Sequence, residues 1–538
     1  MSVSVPVCII GCGPIGLTGA LLLSRFGIKT LLIERRGELN THPRSRFVDT
    51  NTMELFRELG IEKEVEQTGL GPDWTEYNRW CDALTKNEYA RIPSPTFHSI
   101  PRDTSPCVPV MTAQDCVERE LLKLVSTDSN IDPRFHTDAS QLRQDGAATY
   151  LLLRNTETGA QEEVVAQYTI GADGPSSTTR AVIGAKLDAD PRPINSQDVI
   201  FDADLSKYVE GRKGALLYNT PSPMAGAVFQ PLDGKRRWRC QVVVPEPELI
   251  PEEAIRQRIL EALGTQDDVP LTIQSMRLWQ PTPGCTTHFS QGRIFLAGDA
   301  AHISIPTGGM GNNTGFSGIR NLAWKLAFVI RGISEPDILE TYNFEHHPLA
   351  LERIDVGTKI FDAMGPMMMR QMLGEDISEQ VEATKIYGNY DGTLMGFELN
   401  SSLLALESEE APVLNDPIKD FVPLVRSGRR APHAWVDHDH TTSVLDYFGR
   451  GYTMLLGARV DNKSYAQEID RLAERGFPIL LQRLTDLPDA APYANDGVVL
   501  VRPDGIIADH WRNGDVTDAD IEKRLGEILP LLKSKGSA

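Results

Sequence analysis

The chain has 538 residues, 41% hydrophobic and 24% charged, close to a soluble globular protein and unlike a disordered or collagen-like one. Its 54 Lys and Arg against 74 Asp and Glu leave a net charge of −20, which argues against nucleic acid as a partner. At roughly 150 residues per domain the length predicts about three to four domains, and the lack of an apolar run of about 18 residues predicts no membrane span.

Val3–Ile10 is a short apolar run, the pattern of a strand buried on both faces. Gly11-Cys12-Gly13-Pro14-Ile15-Gly16 follows and fits G-x-G-x-x-G, with Cys12 read as a small turn residue. A helix comes next, with Leu17, Ala20, Leu21 and Ser24 at spacings of three and four. Gly27 ends it, Lys29–Ile33 reads as a second strand, and Glu34 stands at its end. No Lys or Arg precedes the apolar stretch and glycines break it, so it is a folded segment rather than an export signal. The unit predicts a dinucleotide site. Glycines let the backbone approach a pyrophosphate, the helix N-terminus offers it free N–H groups, and Glu34 can accept from the adenosine ribose. The unit alone does not separate FAD from NAD.

His42-Pro43-Arg44-Ser45-Arg46 precedes a helix over Asn51–Gly60, capped by Thr50 or Asn51 with Glu54 in its first turn. A guanidinium here suits a pyrophosphate or a flavin edge, and Arg46 is either a second contact or solvated. Gly171-Ala172-Asp173-Gly174 follows a strand ending at Ile170. Alternation over Gly226–Gln230 and Arg237–Val244 predicts a sheet. Arg293–Ala297 is another strand; it runs into Gly298-Asp299-Ala300-Ala301-His302 and then Pro306-Thr307-Gly308-Gly309-Met310-Gly311-Asn312-Asn313. A carboxylate at a strand end can bind a polyol hydroxyl, small residues admit a flat ring, and the helix that follows aims N–H groups at an anion such as reduced flavin. The acidic run Glu407 to Glu410 and the histidines His438 and His440 read as solvated, with no metal site. The cysteines Cys8, Cys12, Cys81, Cys107, Cys116, Cys240 and Cys285 include no C-x-x-C, which predicts no disulfide framework and a reducing cytoplasm.

These segments together resemble the class A flavoprotein monooxygenases, aromatic hydroxylases related to p-hydroxybenzoate and phenol hydroxylases. The resemblance implies an α/β fold: a Rossmann-type, glutathione reductase-like FAD-binding domain, an inserted β-sheet substrate domain, and a thioredoxin-like C-terminal domain. The FAD-binding domain would comprise 1–75, 105–185 and 286–360, the substrate domain 76–104 and 186–285, a helical connector 361–425, and the C-terminal domain 426–538. Arg430-Ala431-Pro432-His433 and Val498 to Gly505 carry the C-terminal resemblance; lacking C-x-x-C, that domain is expected to be structural or a subunit contact, as in a homodimer.

By the same resemblance, FAD would be bound by Gly11, Gly13, Pro14, Ile15, Gly16, Glu34, Arg35, Arg44, Gln114, Asp173 and Asp299. Its ring would be lined by Pro306, Gly308, Gly309, Gly311, Asn312 and Asn313. Gly318 stands where the family usually has Asp, which puts local order at that helix start in question. The implied reaction uses NADH or NADPH and dioxygen, proceeds through a flavin C4a-hydroperoxide, and hydroxylates a phenolic or polyketide-like aromatic substrate. Pro306 would lie near the reacting edge, and Asp49 and His302 are candidates for the base, against helix-flanking and structural roles respectively. Tyr218, Phe229, Gln230 and Trp238 would line the substrate. Epoxidation, Baeyer–Villiger oxidation, reduction and non-catalytic flavin binding on the same scaffold stay open as alternatives.

Overall fold

The computed structural model describes residues 3–94, 103–219, 226–385, 389–407, 410–457, 463–474, 476–484, 492–493, 496–512 and 523. Its largest sheet has eight strands. Val3–Ile10 lies at the centre, with Thr30–Ile33 and then Ile131–Arg134 on one side, and Gln161–Gly171 and then Ile294–Leu296 on the other, all parallel. Strands that are apolar on both faces must be covered on both, and they are. The glycine-turn helix Pro14–Arg25 packs on the helices Gln114–Thr127 and Met310–Ile330 over one face, and the hairpin Thr137–Gln144/Thr149–Asn155 folds over the other. Each Leu, Ile or Phe sealed between these layers contributes roughly 1.5–3 kcal/mol.

This order decides where the motifs meet. The glycine turn leaves the C-terminal end of Val3–Ile10, the Gly171 turn the end of its neighbour, and the Gly298 turn the end of the next strand out. They are stitched by Ala172 N–H donating to Ile10 C=O (2.9 Å) and Ala297 N–H to Gly171 C=O (2.9 Å). Three segments spread over nearly 300 residues of sequence thus share one sheet edge, the edge at which α/β folds bind ligands.

A second, seven-stranded sheet is ordered Leu271–Trp279, Asn195–Ala203, Arg237–Val244, Ala227–Pro231, Leu216–Asn219, Tyr77–Cys81, Glu88–Pro93. The helix Glu252–Leu263 packs on one face of it. The long helix Glu340–Met372 leads away from the first sheet. The C-terminal region forms a four-stranded sheet, Ile479–Leu484, Tyr452–Gly457, Asp496–Val501, Ile507–Arg512, whose first two strands are parallel and connected through the helix Lys463–Glu474. No helix among the described residues is long and apolar enough to cross a membrane.

The helix predicted over Asn51–Gly60 runs Thr50–Leu59, and its cap is Asp49 rather than Thr50 or Asn51: the Asp49 carboxylate accepts from Thr52 N–H at 2.7 Å. Gly60 closes it in the left-handed region at φ 78°. Glu407 is not simply solvated, because it accepts from Ser427 N–H and pairs with Arg426 and His510; Glu409 lies outside the described residues. His438 and His440 stand in an exposed loop, where the ring of His440 stacks on Trp435.

Candidate active site

The glycine turn separates glycines the fold needs from one it leaves open. Gly11 has φ +110°, and a Cβ there would overlap the Ala172 carbonyl oxygen; a Cβ on Gly16 would overlap the Gly11 carbonyl oxygen. A Cβ on Gly13 would meet nothing within 4 Å. Pro14 opens the helix at a position that needs no N–H, and Gly13 caps it without a side-chain hydrogen bond. The helix therefore presents free N–H groups and its positive end to an unfilled space, as a pyrophosphate site requires. Ile15 sits behind this turn, in contact distance of Gly298 and Gly315, either of which would collide with it if it carried a Cβ. Glu34 reaches back over the turn, accepting from Cys12 N–H (3.1 Å) and Arg36 N–H (3.0 Å). Arg35 is exposed, and its carbonyl accepts from Thr156 Oγ1.

Gln114 is the first residue of its helix; its side chain accepts from Ser45 N–H (3.1 Å) and donates to Glu118 (2.7 Å). This ties the Arg44 segment to the start of that helix. Sequence reading missed Glu118, although a carboxylate four residues after Gln114 on one helix face is a legible signal. Burial, reinforced by Asp115 and Glu34, pushes Glu118 up to about 7.

Arg44 and Asp299 face each other across the cleft, with Nη1 and Oδ2 3.8 Å apart and side chains 48% and 38% exposed. Asp299 accepts no hydrogen bond from the described residues. It sits deep in the molecule yet open to the cleft, and burial pushes its carboxyl up while Arg44 pulls it down. A loosely paired carboxylate with free lone pairs beside small residues fits a sugar-alcohol chain. The Gly13 space and Asp299 are the two observations by which FAD fits these residues.

The Asp173 side chain is spent within its own loop. It accepts from Ser177 Oγ (2.5 Å), Thr178 Oγ1, Thr179 N–H and Thr179 Oγ1, which starts the short helix Thr178–Val182. The loop after Pro306, which is itself exposed, turns through Gly308 (φ 78°) and Gly309 (φ 62°); a Cβ on Gly309 would come within 2.6 Å of Phe47. Met310–Ile330 begins there without a side-chain cap. The backbone N–H groups of Gly311 and Asn312, in its first turn, lack intrahelical partners. Asn313 is different: its amide donates to Phe47 C=O and Gly309 C=O and accepts from Asp49 N–H and Thr52 Oγ1. Its side chain staples the ring loop to the following helix and is not free for a ligand. The helix runs unbroken through Gly318, which packs beneath Tyr342 and His346, so the missing Asp does not cost local order.

The two candidate bases are enclosed. Asp49 is fully buried, with Oδ1 capping its helix and Oδ2 without a hydrogen-bond partner; burial pushes its carboxyl up, against the pull of Arg353. His302 is 3% exposed, packs on Phe289, and is held near 4 by burial and by Arg353, so it is neutral at neutral pH. Neither offers a face to a substrate, which supports the helix-flanking and structural alternatives.

Of the expected substrate-lining residues, the structure brings two to the cleft side and turns two away. Strand side chains alternate between faces. Phe229 and Trp238 pack into the core under the helix Glu252–Leu263, on the far face. The other face carries Tyr218, stacked on Trp80 (ring centres 4.5 Å apart, 8° between planes), and Gln230, which donates to Gln241. Arg239 marks this face as the one toward the cofactor, because it grips Asp198 with both arms and donates to Arg44 C=O at 2.9 Å. Arg46 is neither a second ligand nor solvated. It is buried and donates to the carbonyls of Pro231 and Ala215, while burial and Arg239 lower it to about 9. His42 completes the clamp through Ser275 and Asp198.

An apolar wall connects these parts. Phe47, Met310, Val356, Ile360 and Leu394 form one cluster beside the ring loop; Trp80, Ile92, Tyr218 and Ile377 form another under the sheet; Met364 packs against both.

Comparison with known proteins fits this geometry. The family described as "FAD binding domain" matches residues 4–356, and "Aromatic-ring hydroxylase, C-terminal" matches 425–530. Aklavinone 12-hydroxylase of Streptomyces purpurascens is 31% identical, with 98% of each chain covered. The 2,4-dichlorophenol 6-monooxygenase of Delftia acidovorans is 27% identical, over 94% of this chain and 95% of that one. The crystal structure of the flavin-dependent monooxygenase PieE with FAD and substrate superposes with a TM-score of 0.88 at 26% identity, over 98% of this chain and 99% of that one. A nucleotide turn with one open glycine, an unbonded carboxylate facing Arg44, and two family matches that together span most of the sequence agree: the chain belongs to the FAD-dependent aromatic monooxygenases.

Proposed function

We propose that the chain hydroxylates a phenolic ring of a polycyclic, polyketide-like substrate, using dioxygen and NADH or NADPH in the cytoplasm. The observation that carries the substrate class is the wall running from Phe47 and Met310 through Met364 to the Trp80–Tyr218 stack. It is apolar, aromatic at one end, and bridged by the partly buried Met364, whose flexible side chain suits irregular ring systems. The relatives include enzymes named for aklavinone and for 2,4-dichlorophenol, so more than one aromatic substrate occurs among similar chains. The scattered cysteines, with no C-x-x-C among them, fit a reducing compartment.

Bound FAD would supply the redox chemistry, taking electrons from the nicotinamide cofactor and activating dioxygen. The protein's part is to hold and shield. Gly13 and the free helix N–H groups take the pyrophosphate, Glu34 the ribose, Asp299 the sugar-alcohol chain, and Arg44 closes over the same edge. Pro306, Gly308 and Gly309 border the ring, and the first N–H groups of Met310–Ile330 favour negative charge on it. The apolar wall keeps water away from the reacting carbon, which suppresses loss of reducing equivalents to hydrogen peroxide. Tyr218 and Gln230 lie on the face that meets the substrate.

The test is NAD(P)H oxidation over a panel running from phenol and dichlorophenol to hydroxylated anthraquinones, with peroxide measured alongside. Higher kcat/KM and less peroxide with the polycyclic phenols are expected. A preference for single-ring phenols would overturn the substrate class while leaving the reaction intact.

A further inference from the structure

A phenol reacts at ring carbon far better once ionised, yet Asp49 and His302 are both enclosed and present no face to a substrate. Whatever favours the phenolate must lie elsewhere on the cleft wall.

The sheet face toward the cofactor carries three arginines, and two of them are neutralised. Arg237 holds Asp115 (2.7 Å), and Arg239 holds Asp198 with both arms. Asp198 also meets His42 Nε2 at 3.3 Å. Arg46 reaches the same face from the segment after Arg44, but its partners are neutral: the carbonyls of Pro231 (2.9 Å) and Ala215 (2.8 Å). These supply dipoles and no charge, and no carboxylate among the described residues pairs with it. Arg46 is only 7% exposed, and a buried cation without a counter-charge is costly. It is still protonated at neutral pH, because burial, and after it Arg239, lower it only to about 9.

The ionisable side chain that this charge acts on is Tyr218, on the strand Leu216–Asn219 that follows Ala215. Burial pushes Tyr218 up against the pull of Arg46, so its hydroxyl keeps its proton and can donate. The face-to-face stack on Trp80 fixes its ring. The hydroxyl forms no hydrogen bond among the described residues and, unlike the sealed Trp80 Nε1, keeps accessible surface; the same is true of Arg46 Nε.

We propose that Arg46 is the positioning residue that favours the ionised substrate: its uncompensated charge polarises the Tyr218 hydroxyl, which donates to the phenolate oxygen. The substrate O–H bond breaks with its electron pair left on oxygen, and the proton leaves to bulk water as the substrate binds, so no general base is required. This rests on the phenolic reading of the substrate given above.

The experiment uses oxidised, FAD-saturated enzyme without NAD(P)H, so that ligand ionisation is read at equilibrium. The probes are 4-nitrophenol and 2-hydroxyanthraquinone, which both absorb at longer wavelength as anions; difference spectra across pH give the ionisation constant of each, bound and free. Wild type should raise the ionisation constant of the bound probe by about tenfold or more, as a nearby opposite charge does. Arg46→Gln should abolish that gain and Tyr218→Phe should remove most of it. Arg46→Lys keeps the charge but loses the two-armed grip on the carbonyls, and should retain most of the gain. A purely structural role predicts instead that Arg46→Lys and Arg46→Gln lose it alike. Arg46→Gln leaves two carbonyls short of a donor; if it does not fold, Tyr218→Phe carries the test, and an undiminished gain there overturns the proposal. Bound probes that ionise as they do in water, an equal gain in wild type and Arg46→Gln, or an equal loss in Arg46→Gln and Arg46→Lys also overturn it. Failure of both phenols to bind is a different result: it overturns the phenolic reading, and this proposal with it.

Discussion

The glycine turn makes a prediction in which two neighbouring substitutions part company. In Gly16→Ala the added methyl would overlap the Gly11 carbonyl oxygen, closer than the 3.0 Å that real Cβ atoms respect. Gly11 is itself wedged against Ala172, so the clash is relieved only by shifting the turn. Overpacking of this kind costs about 1–3 kcal/mol, and it falls on the apoprotein and the FAD complex alike. In Gly13→Ala the methyl enters open space, at a residue whose φ of −70° any amino acid adopts. Apoprotein stability should stay within about 0.5 kcal/mol of wild type. The same methyl stands where the pyrophosphate must approach, so FAD binding should lose about 1–3 kcal/mol, a rise in Kd of about five- to 150-fold. Denaturant melts of both apoproteins, with FAD titrations followed by flavin fluorescence, read the two quantities separately. If Gly13→Ala binds FAD as tightly as wild type, the dinucleotide does not sit on this turn. If Gly16→Ala apoprotein melts like wild type, the close packing is misread.

Asp299→Ala should purify with little or no flavin, and Arg44→Ala with weakened flavin or raised peroxide yield; stoichiometric FAD in both would remove the pair from the site. Asp49→Asn keeps a good helix cap and should retain kcat within a few-fold. A fall of about 10²–10⁴ together with loss of the acidic limb of the pH profile would instead make Asp49 the base. Glu118, raised from 4.5 to about 7, binds a proton more tightly in the folded apoprotein than in the unfolded chain. It therefore stabilises most below pH 4.5, and that contribution fades as pH rises through 7. Glu118→Gln should remove this slope and be more stable than wild type at pH 8, by up to about 3 kcal/mol; parallel urea melts at pH 5 and pH 8 measure it. Phe229→Ala should cost about 3–5 kcal/mol of stability with KM unchanged, whereas a raised KM at unchanged stability would return Phe229 to the pocket.

The strand, turn and helix units around Gly11, Gly171 and Gly298 were legible because each is local. A strand end, a glycine and a helix start follow one another within about ten residues. Their meeting was also readable, since parallel neighbours place their C-terminal turns on one edge. Orientation was not. Alternation across Arg237–Val244 shows that Trp238 and Arg239 oppose each other, but not which of them faces the flavin. That is settled by where the helix Glu252–Leu263 packs, a choice made by contacts among residues far apart in sequence. Arg46 escaped for the same reason. A second arginine in an exposed-looking segment gives no hint that carbonyls of Pro231 and Ala215 will enclose it. Asp49 was half legible: a helix-flanking role was weighed against that of base, but the cap itself was assigned to Thr50 or Asn51, one or two residues too late.

The buried charges linking the C-terminal region to the flavin helix were also invisible in sequence. Arg502 binds Glu345 (2.6 Å), which also takes Lys325 (2.9 Å), and Asn321 donates to both Glu345 and Asp504. Lys325 and Asn321 lie on Met310–Ile330, the helix whose start borders the ring loop. Burial holds Lys325 down to about 8 despite Glu345. The C-terminal region is thus anchored to the same rigid element that positions the ring.

The most direct measurement is turnover under ¹⁸O₂ with a polycyclic phenol and NAD(P)H, followed by mass spectrometry of the product. The account predicts a single new hydroxyl carrying one ¹⁸O atom, with one NAD(P)H consumed for each. A product labelled from water, or reducing equivalents consumed with no oxygen entering the ring, would contradict it.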